Sequence, residues 1–241
     1  MEEFTIRIAG IHIEVVSRYP YARNCCREFM RDGKPDLHVA ITQEDILRER
    51  EACEALGFSR VPGDGYLETM ALFRKLTEMM PDRGVFLLHG AAVSLNECGI
   101  IFSGFSGVGK TTHIKKWILN LPDLAVINGD KPFIAAGKPP LVYGSPWGGK
   151  EQLFTNASSP LKHIVLMERA EENRIDKIPL SEAFPRLCQQ IARPDDAAIT
   201  AKTLHLLRSL DPAVSFWRFG CNNFRDDCFD VAYGALIGNG Q

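Results

Sequence analysis

No stretch of this sequence approaches the roughly 18–20 consecutive apolar residues that a bilayer-spanning helix needs, so no membrane span is expected. Charge of one sign is equally lacking. The 28 Lys and Arg residues nearly cancel the 30 Asp and Glu residues, for a formal net charge of -2. A balance this even gives no general attraction to nucleic acid or to an anionic membrane. The opening Met1-Glu2-Glu3-Phe4 lacks the basic flank and apolar stretch of a secretory signal, and a cytoplasmic location is the expectation. Cysteines at metal-binding spacing are missing too. The seven cysteines include the adjacent Cys25-Cys26 but no Cys-x-x-Cys. That pattern fits neither a disulfide framework nor a zinc ribbon, and leaves reduced, mostly buried thiols. There is no internal repeat and no low-complexity linker.

What is present is the composition of an ordinary globular protein. Of 241 residues, 45% are hydrophobic and 24% charged. That is enough to bury a core without staples. At about 150 residues per domain, the length corresponds to one domain, or one domain with an appendage.

Phe4, Ile6 and Ile8 alternate with Thr5 and Arg7, and Ile11, Ile13 and Val15 alternate with His12 and Glu14 across Ala9-Gly10, which predicts a β-hairpin. Leu37 to Ile41 reads as a third strand. Thr42 with Asp45 forms a capping-box pattern opening a helix to about Leu56. Arg60 to Gly65 is expected to be a loop. A helix with Tyr66, Met70, Phe73, Leu76 and Met80 on one stripe should follow, ended by Pro81. Residues 1–82 are thus expected to form a small α+β layer packed on a core of residues 83–241. Short apolar runs at Val85 to Leu88, Gly99 to Phe102, Leu124 to Ile127 and Ile164 to Met167 predict buried strands. Two more short strands are expected between Pro132 and Tyr143. The tail from about Ser181 reads as helical, interrupted by a strand from Val214 to Phe219.

The most informative stretch is Gly104-Phe105-Ser106-Gly107-Val108-Gly109-Lys110-Thr111-Thr112. It matches G-x-x-x-x-G-K-[ST] without a gap, after an apolar run and before a helix-forming stretch. Gly104, Gly107 and Gly109 allow a sharp turn that points consecutive N–H groups, those of Ser106 and Val108 included, inward at phosphate oxygens. The following helix adds the partial positive charge of its N-terminus. Lys110 supplies an ammonium for the β/γ-phosphates, and Thr111 a hydroxyl for Mg²⁺. Thr112 sits in the first turn, and His113 there is expected to be a surface or packing residue. The bland alternative is a glycine-rich turn.

Asn128-Gly129-Asp130 follows the strand ending at Ile127. That sets Asp130 at a strand end, where a carboxylate can hold Mg²⁺ or its water. An Asn-Gly turn with a solvated aspartate is the alternative. Lys131 reads equally as a phosphate contact or a solvated side chain.

Leu88-His89-Gly90-Ala91-Ala92-Val93, the glycine-rich loop, Asn128 to Pro132 and Ser145-Pro146-Trp147-Gly148-Gly149-Lys150-Glu151 together resemble the HPr kinase/phosphorylase family. Pro160-Leu161-Lys162 ahead of Ile164 to Glu168 also looks like that group. ATP-dependent phosphoenolpyruvate carboxykinase is a more distant likeness. The resemblance covers about Val85 to Phe133, with weaker support through Glu168. It implies an α/β, phosphoenolpyruvate carboxykinase-like P-loop fold and ATP-dependent phosphoryl transfer to a hydroxyl. It makes His89 and Asp130 partners of a catalytic Mg²⁺ or Mn²⁺, or of phosphate; a core histidine satisfied by backbone is the other reading of His89. Trp147, Gly148, Gly149 and Lys150 become a loop closing on substrate, against a simple bend over an apolar ledge. The family pattern carries Asp-Asp where this chain has Gly129-Asp130, and the missing acid bears on the transfer step.

Three functions therefore stand at this level. One is a kinase using ATP and acting on a peptide, protein or small molecule. The others are a nucleotide-binding regulatory module without turnover, and an ATP or GTP hydrolase. No nucleic-acid or membrane partner is expected, and homo-oligomer formation is left open.

Overall fold

The computed structural model describes residues 1–192 and 194–238; residues 193 and 239–241, which belong to the expected second region, lie outside them. The chain divides into two compact units, Met1–Met80 and Pro81–Gln241. Among the described residues no helix is long and apolar enough to cross a membrane.

In the first unit the strands β1 (Glu2–Ile8) and β2 (Ile11–Ser17) pair antiparallel from Glu2↔Ser17 to Ile8↔Ile11, the expected hairpin. Its inward residues Phe4, Ile6, Ile8, Ile13 and Val15 are all buried. A short helix α1 (Pro20–Cys25) leads to β3 (Leu37–Ala40), which joins β2 in parallel and completes a three-stranded sheet. Helix α2 (Gln43–Ala55) begins with the expected capping box between Thr42 and Asp45.

Helix α3 (Asp64–Met79) departs from expectation in two ways. It starts early enough to take Gly65 into its first turn. Its buried stripe is Leu67, Ala71, Leu72 and Leu76, while Tyr66 is exposed and Met70 and Phe73 are half-buried. The physical reason is Glu68. Its buried carboxylate accepts hydrogen bonds from the backbone N–H groups of Arg18 and Tyr19 at the start of α1, which turns that face of α3 inward.

The second unit is built on a nine-stranded mixed sheet. Its strands in chain order are β4 (Val85–Leu87), β5 (Gly90–Leu95), β6 (Cys98–Ser103), β7 (Ala125–Asn128), β8 (Phe133–Ala135), β9 (Leu141–Tyr143), β10 (Ser158–Arg169), β11 (Arg174–Ile178) and β12 (Ser215–Cys221). The spatial order is β4-β8-β9-β10-β6-β5-β7, with β12 also on β10 and β11 on β12. Among the described residues, the helices α4 (Lys110–Asn120), α5 (Leu180–Leu187), α6 (Ala197–Arg208) and α7 (Cys228–Leu236) complete it.

Alternating residues of the central strands feed two cores. Ala92, Ile101, Ile164, Leu166 and Phe216 pack with Leu187 of α5 and Leu207 of α6. Val93, Ile100, Phe102, Val165, Met167 and Phe219 pack with Ile114 and Trp117 of α4 and Ala232 of α7. The sheet is therefore covered on both faces, an α/β architecture, and its strands are continuous apolar runs for that reason.

Strand direction decides what lies at each edge. β10 runs parallel to β6 and to β12. β5 is antiparallel to both β6 and β7, so β7 points the same way as β6. The C-terminal ends of β6, β7, β10 and β12 thus share one edge. β5 starts there, since Gly90 pairs with Ser103. The loop after β6, the turn after β7 and His89 just before β5 are brought to one place by topology alone.

Candidate active site

The loop between β6 and α4 takes the backbone its glycines foretold: φ is 146° at Gly104, 78° at Gly107 and 108° at Gly109. Gly109 is the left-handed residue that opens α4, and its carbonyl accepts the first helical hydrogen bond, from the N–H of His113, at 2.9 Å. The side-chain amide of Asn223, just past β12, donates to the same carbonyl at 3.1 Å. On the loop's outer side Arg169, the last residue of β10, donates to the Gly107 carbonyl at 2.8 Å. Two neighbouring strand ends therefore hold the loop in place.

A cleft of about 530 Å³ lies against this loop. Of the expected site residues, Ser106, Gly107, Gly109, Lys110, Thr111, Thr112, His89, Asp130, Gly148, Gly149 and Lys150 all line it. Gly104, Val108 and Trp147 do not. Gly104 sits where a Cβ would fall 2.8 Å from the Met167 carbonyl oxygen, so it packs strand against strand. Val108 points into the α4–α7 core.

Lys110 is buried, and its ammonium donates to the carbonyls of Gly104 at 2.7 Å and Phe105 at 3.2 Å. Burial pushes its pKa below the ordinary lysine range; the charge of Asp130 opposes that shift and Lys131 adds to it. Across the cleft, His89 Nδ1 lies 3.2 Å from Asp130 Oδ1, and Lys131 Nζ lies 3.5 Å from Asp130 Oδ2. Burial alone would raise the Asp130 pKa, but the hydrogen bond from His89 and the charge of Lys131 outweigh it and hold the carboxyl below its usual range. Asp130 is therefore an ionised acceptor.

His89 is fixed at its backbone. Its N–H donates to the Gln190 carbonyl at 2.7 Å, and its carbonyl accepts from the Ser103 hydroxyl at 2.7 Å. Its ring remains half-exposed toward Asp130.

Asn128, which the sequence offers only as part of an Asn-Gly turn, does much of the positioning. Asn128 is fully buried. Its Oδ1 accepts from the N–H groups of Asp130 (2.8 Å) and Lys131 (2.6 Å), and its Nδ2 donates to the carbonyl and hydroxyl of Ser145. One amide thus shapes the turn that presents Asp130. The signal available in advance was an asparagine opening an Asx-type turn.

A strap, residues 147–153, covers the same turn. The Gly129 N–H donates to the Leu153 carbonyl at 2.7 Å. Gly149, at φ 73°, lies so close that a Cβ there would fall 2.9 Å from the Asp130 Cβ. Glu151 meets Lys115 of α4 at 3.2 Å, and Lys150 is exposed. His113 is a packing residue: wholly buried, it accepts a hydrogen bond from the Trp117 indole at 2.9 Å on Nε2. Burial lowers its pKa to about 4.

Comparison with protein-family models and with curated proteins returns no match.

The donor set itself narrows the chemistry. A glycine-rich loop, a helix N-terminus and an ammonium suit a polyanion; within the loop, the Val108 N–H donates to the Phe105 carbonyl at 3.2 Å and not into the cleft. The Asp130 carboxylate and the Thr111 hydroxyl are hard oxygen donors that suit Mg²⁺, and the His89 imidazole is better matched to Mn²⁺. Among the described residues no three His, Cys, Asp or Glu side chains stand together as a metal cage.

Proposed function

We propose that the cleft binds a nucleoside triphosphate with Mg²⁺ and passes its γ-phosphoryl group to a hydroxyl of a peptide, protein or small molecule, as in the HPr-kinase-like proteins. The observation that supports this most is convergence: the glycine-rich loop, the N-terminus of α4, Lys110, Thr111, Asp130 and His89 line one cleft although they come from separate stretches of chain. The finer fold assignment, a phosphoenolpyruvate carboxykinase-like P-loop fold, belongs to the same proposal.

In this reading the backbone of the loop at Gly107 and Gly109 and the N-terminus of α4 cradle the phosphates. Lys110 leaves two neutral carbonyls for charged phosphate oxygens, a stronger set of acceptors. Thr111 and Asp130 hold the divalent cation, which when bound neutralises charge on the β- and γ-phosphates. His89 orients Asp130 by hydrogen bonding to Oδ1. Asp130 Oδ2, which meets Lys131 Nζ at 3.5 Å, would take the acceptor proton only at the expense of the carboxylate's hold on the cation. A depressed pKa makes it a weak base, which suffices only because loose phosphoryl-transfer transition states ask little of one.

A second reading, a nucleotide-binding regulatory module without turnover, is favoured by the crowding at Gly129, where the strap occupies the space an acidic side chain would need. Both readings require nucleotide binding. Calorimetric titration of ATP with and without Mg²⁺ tests that requirement. Lys110→Ala should weaken binding roughly 10- to 150-fold, the equivalent of about 1.5–3 kcal/mol for a charged hydrogen bond. Asp130→Asn should abolish most of the gain from Mg²⁺ while keeping metal-free affinity. Equal titrations for wild type and both variants overturn the proposal. Product analysis then separates the readings: phosphorylated acceptor supports the kinase, and bound but unconsumed ATP supports the module.

A further inference from the structure

We infer that a second groove, beside the glycine-rich loop at the ends of β6 and β10, holds the base of the nucleotide. The inference rests on the nucleotide reading above and assigns the part of the ligand that reading leaves without a site. The groove has a volume of about 640 Å³ and shares Ser106 and Gly107 with the cleft. Its other walls are Phe105, Val108, Met167, Glu168, Arg169 and Arg186.

Topology points to this side. In open α/β sheets ligands lie beyond the C-terminal ends of parallel strands. β6 and β10 are adjacent and parallel, with Leu166 opposite Ser103. On the other flank, toward β7, the edge carries Asp130 and is covered by the strap. A triphosphate lying on the loop with its metal-binding end toward Asp130 therefore directs its nucleoside toward β10.

The side chains there suit a flat heteroaromatic ring. Phe105 is 57% exposed, an aromatic face that the core does not use. A base has a π-face of its own, and stacking on an aromatic side chain is tolerant of which base it is. The guanidinium of Arg169 is fixed against the loop by its bond to the Gly107 carbonyl. Arg186 donates to Glu168 at 2.8 Å and to the Met167 carbonyl at 3.2 Å. Fixed donors and the Glu168 carboxylate thus edge the groove and can meet the exocyclic amino group and ring nitrogens of a purine.

The test compares Mg²⁺–ATP with Mg²⁺–tripolyphosphate, which keeps the phosphates and removes the nucleoside. Wild type should bind ATP more tightly than tripolyphosphate. Phe105→Ala, at an exposed position, should weaken ATP binding roughly five- to hundredfold and leave tripolyphosphate unchanged. Phe105→Trp should restore ATP affinity. Unchanged ATP affinity in Phe105→Ala overturns the base site, and so does an equal loss for both ligands, which would make Phe105 a support of the loop. If wild type binds tripolyphosphate and ATP equally, only the base site falls. If it binds neither, the nucleotide reading falls and the base site with it.

Discussion

Gly129→Asp introduces an acid at the position where the HPr-kinase-like pattern carries one, and the structure predicts that it does harm. An added Cβ falls 3.1 Å from the Gly148 carbonyl oxygen, 3.1 Å from the Leu153 Cβ and 3.3 Å from the Leu153 carbonyl oxygen. Each is a few tenths of an ångström too close, so the strap must move. Overpacking of this kind costs about 1–3 kcal/mol. Straining the 2.7 Å bond from the Gly129 N–H to Leu153 adds to it. For a unit of this size each kcal/mol lowers Tm by about 2–4 °C, so a drop of roughly 2–12 °C is expected. Gly129→Ala carries only the Cβ and should account for most of the loss. The assay is a thermal melt of wild type and both variants with and without Mg²⁺–ATP, paired with single-turnover consumption of ATP. Destabilisation without faster turnover is the expected result. If Gly129→Asp melts with wild type and accelerates transfer, the strap does not exclude a side chain there and the reasoning fails.

Gly149→Ala should strain a left-handed residue by about 1–2 kcal/mol and push on Asp130. Titration should show loss of the Mg²⁺-dependent part of ATP affinity with the metal-free part retained. Asn128→Ala strips four hydrogen bonds from a buried turn and should cost more than about 2 kcal/mol in urea unfolding; a variant as stable as wild type would contradict the role given to that amide. His113 is neutral in the fold, with a pKa of about 4 against 6.5 in the unfolded chain. The unfolded state therefore binds the extra proton first, and stability falls as pH drops from about 6.5 to 4. The full shift corresponds to about 3 kcal/mol. His113→Gln, which keeps an acceptor for Trp117, should lower the slope of unfolding free energy against pH by about one proton; an unchanged slope would show that His113 is protonated in the fold.

Features set by short-range chemistry were legible in the sequence. The Ala9-Gly10 hairpin, the Thr42–Asp45 capping box and the positive-φ glycines of the loop each depend on residues within a few positions of one another. β5 was missed as a strand because Gly90 to Leu95 is buried on both faces and shows no alternation. The α3 stripe was misplaced because a buried glutamate, Glu68, serves backbone groups far away in sequence. The Asp130 environment depended on Asn128, Ser145 and the strap, whose meeting is tertiary and leaves no periodic trace. The same holds for the packing of Gly149 on Asp130.

The central claim is that one cleft holds the phosphates on the loop and the metal at Asp130. The most direct measurement is a crystal structure with Mg²⁺ and a non-hydrolysable ATP analogue. The triphosphate should lie against the glycine-rich loop and the N-terminus of α4, with Asp130 on the metal or its water and the Lys110 ammonium moved from the Gly104 and Phe105 carbonyls onto phosphate oxygen. A triphosphate bound elsewhere, or Lys110 still on its two carbonyls beside a bound nucleotide, would contradict it.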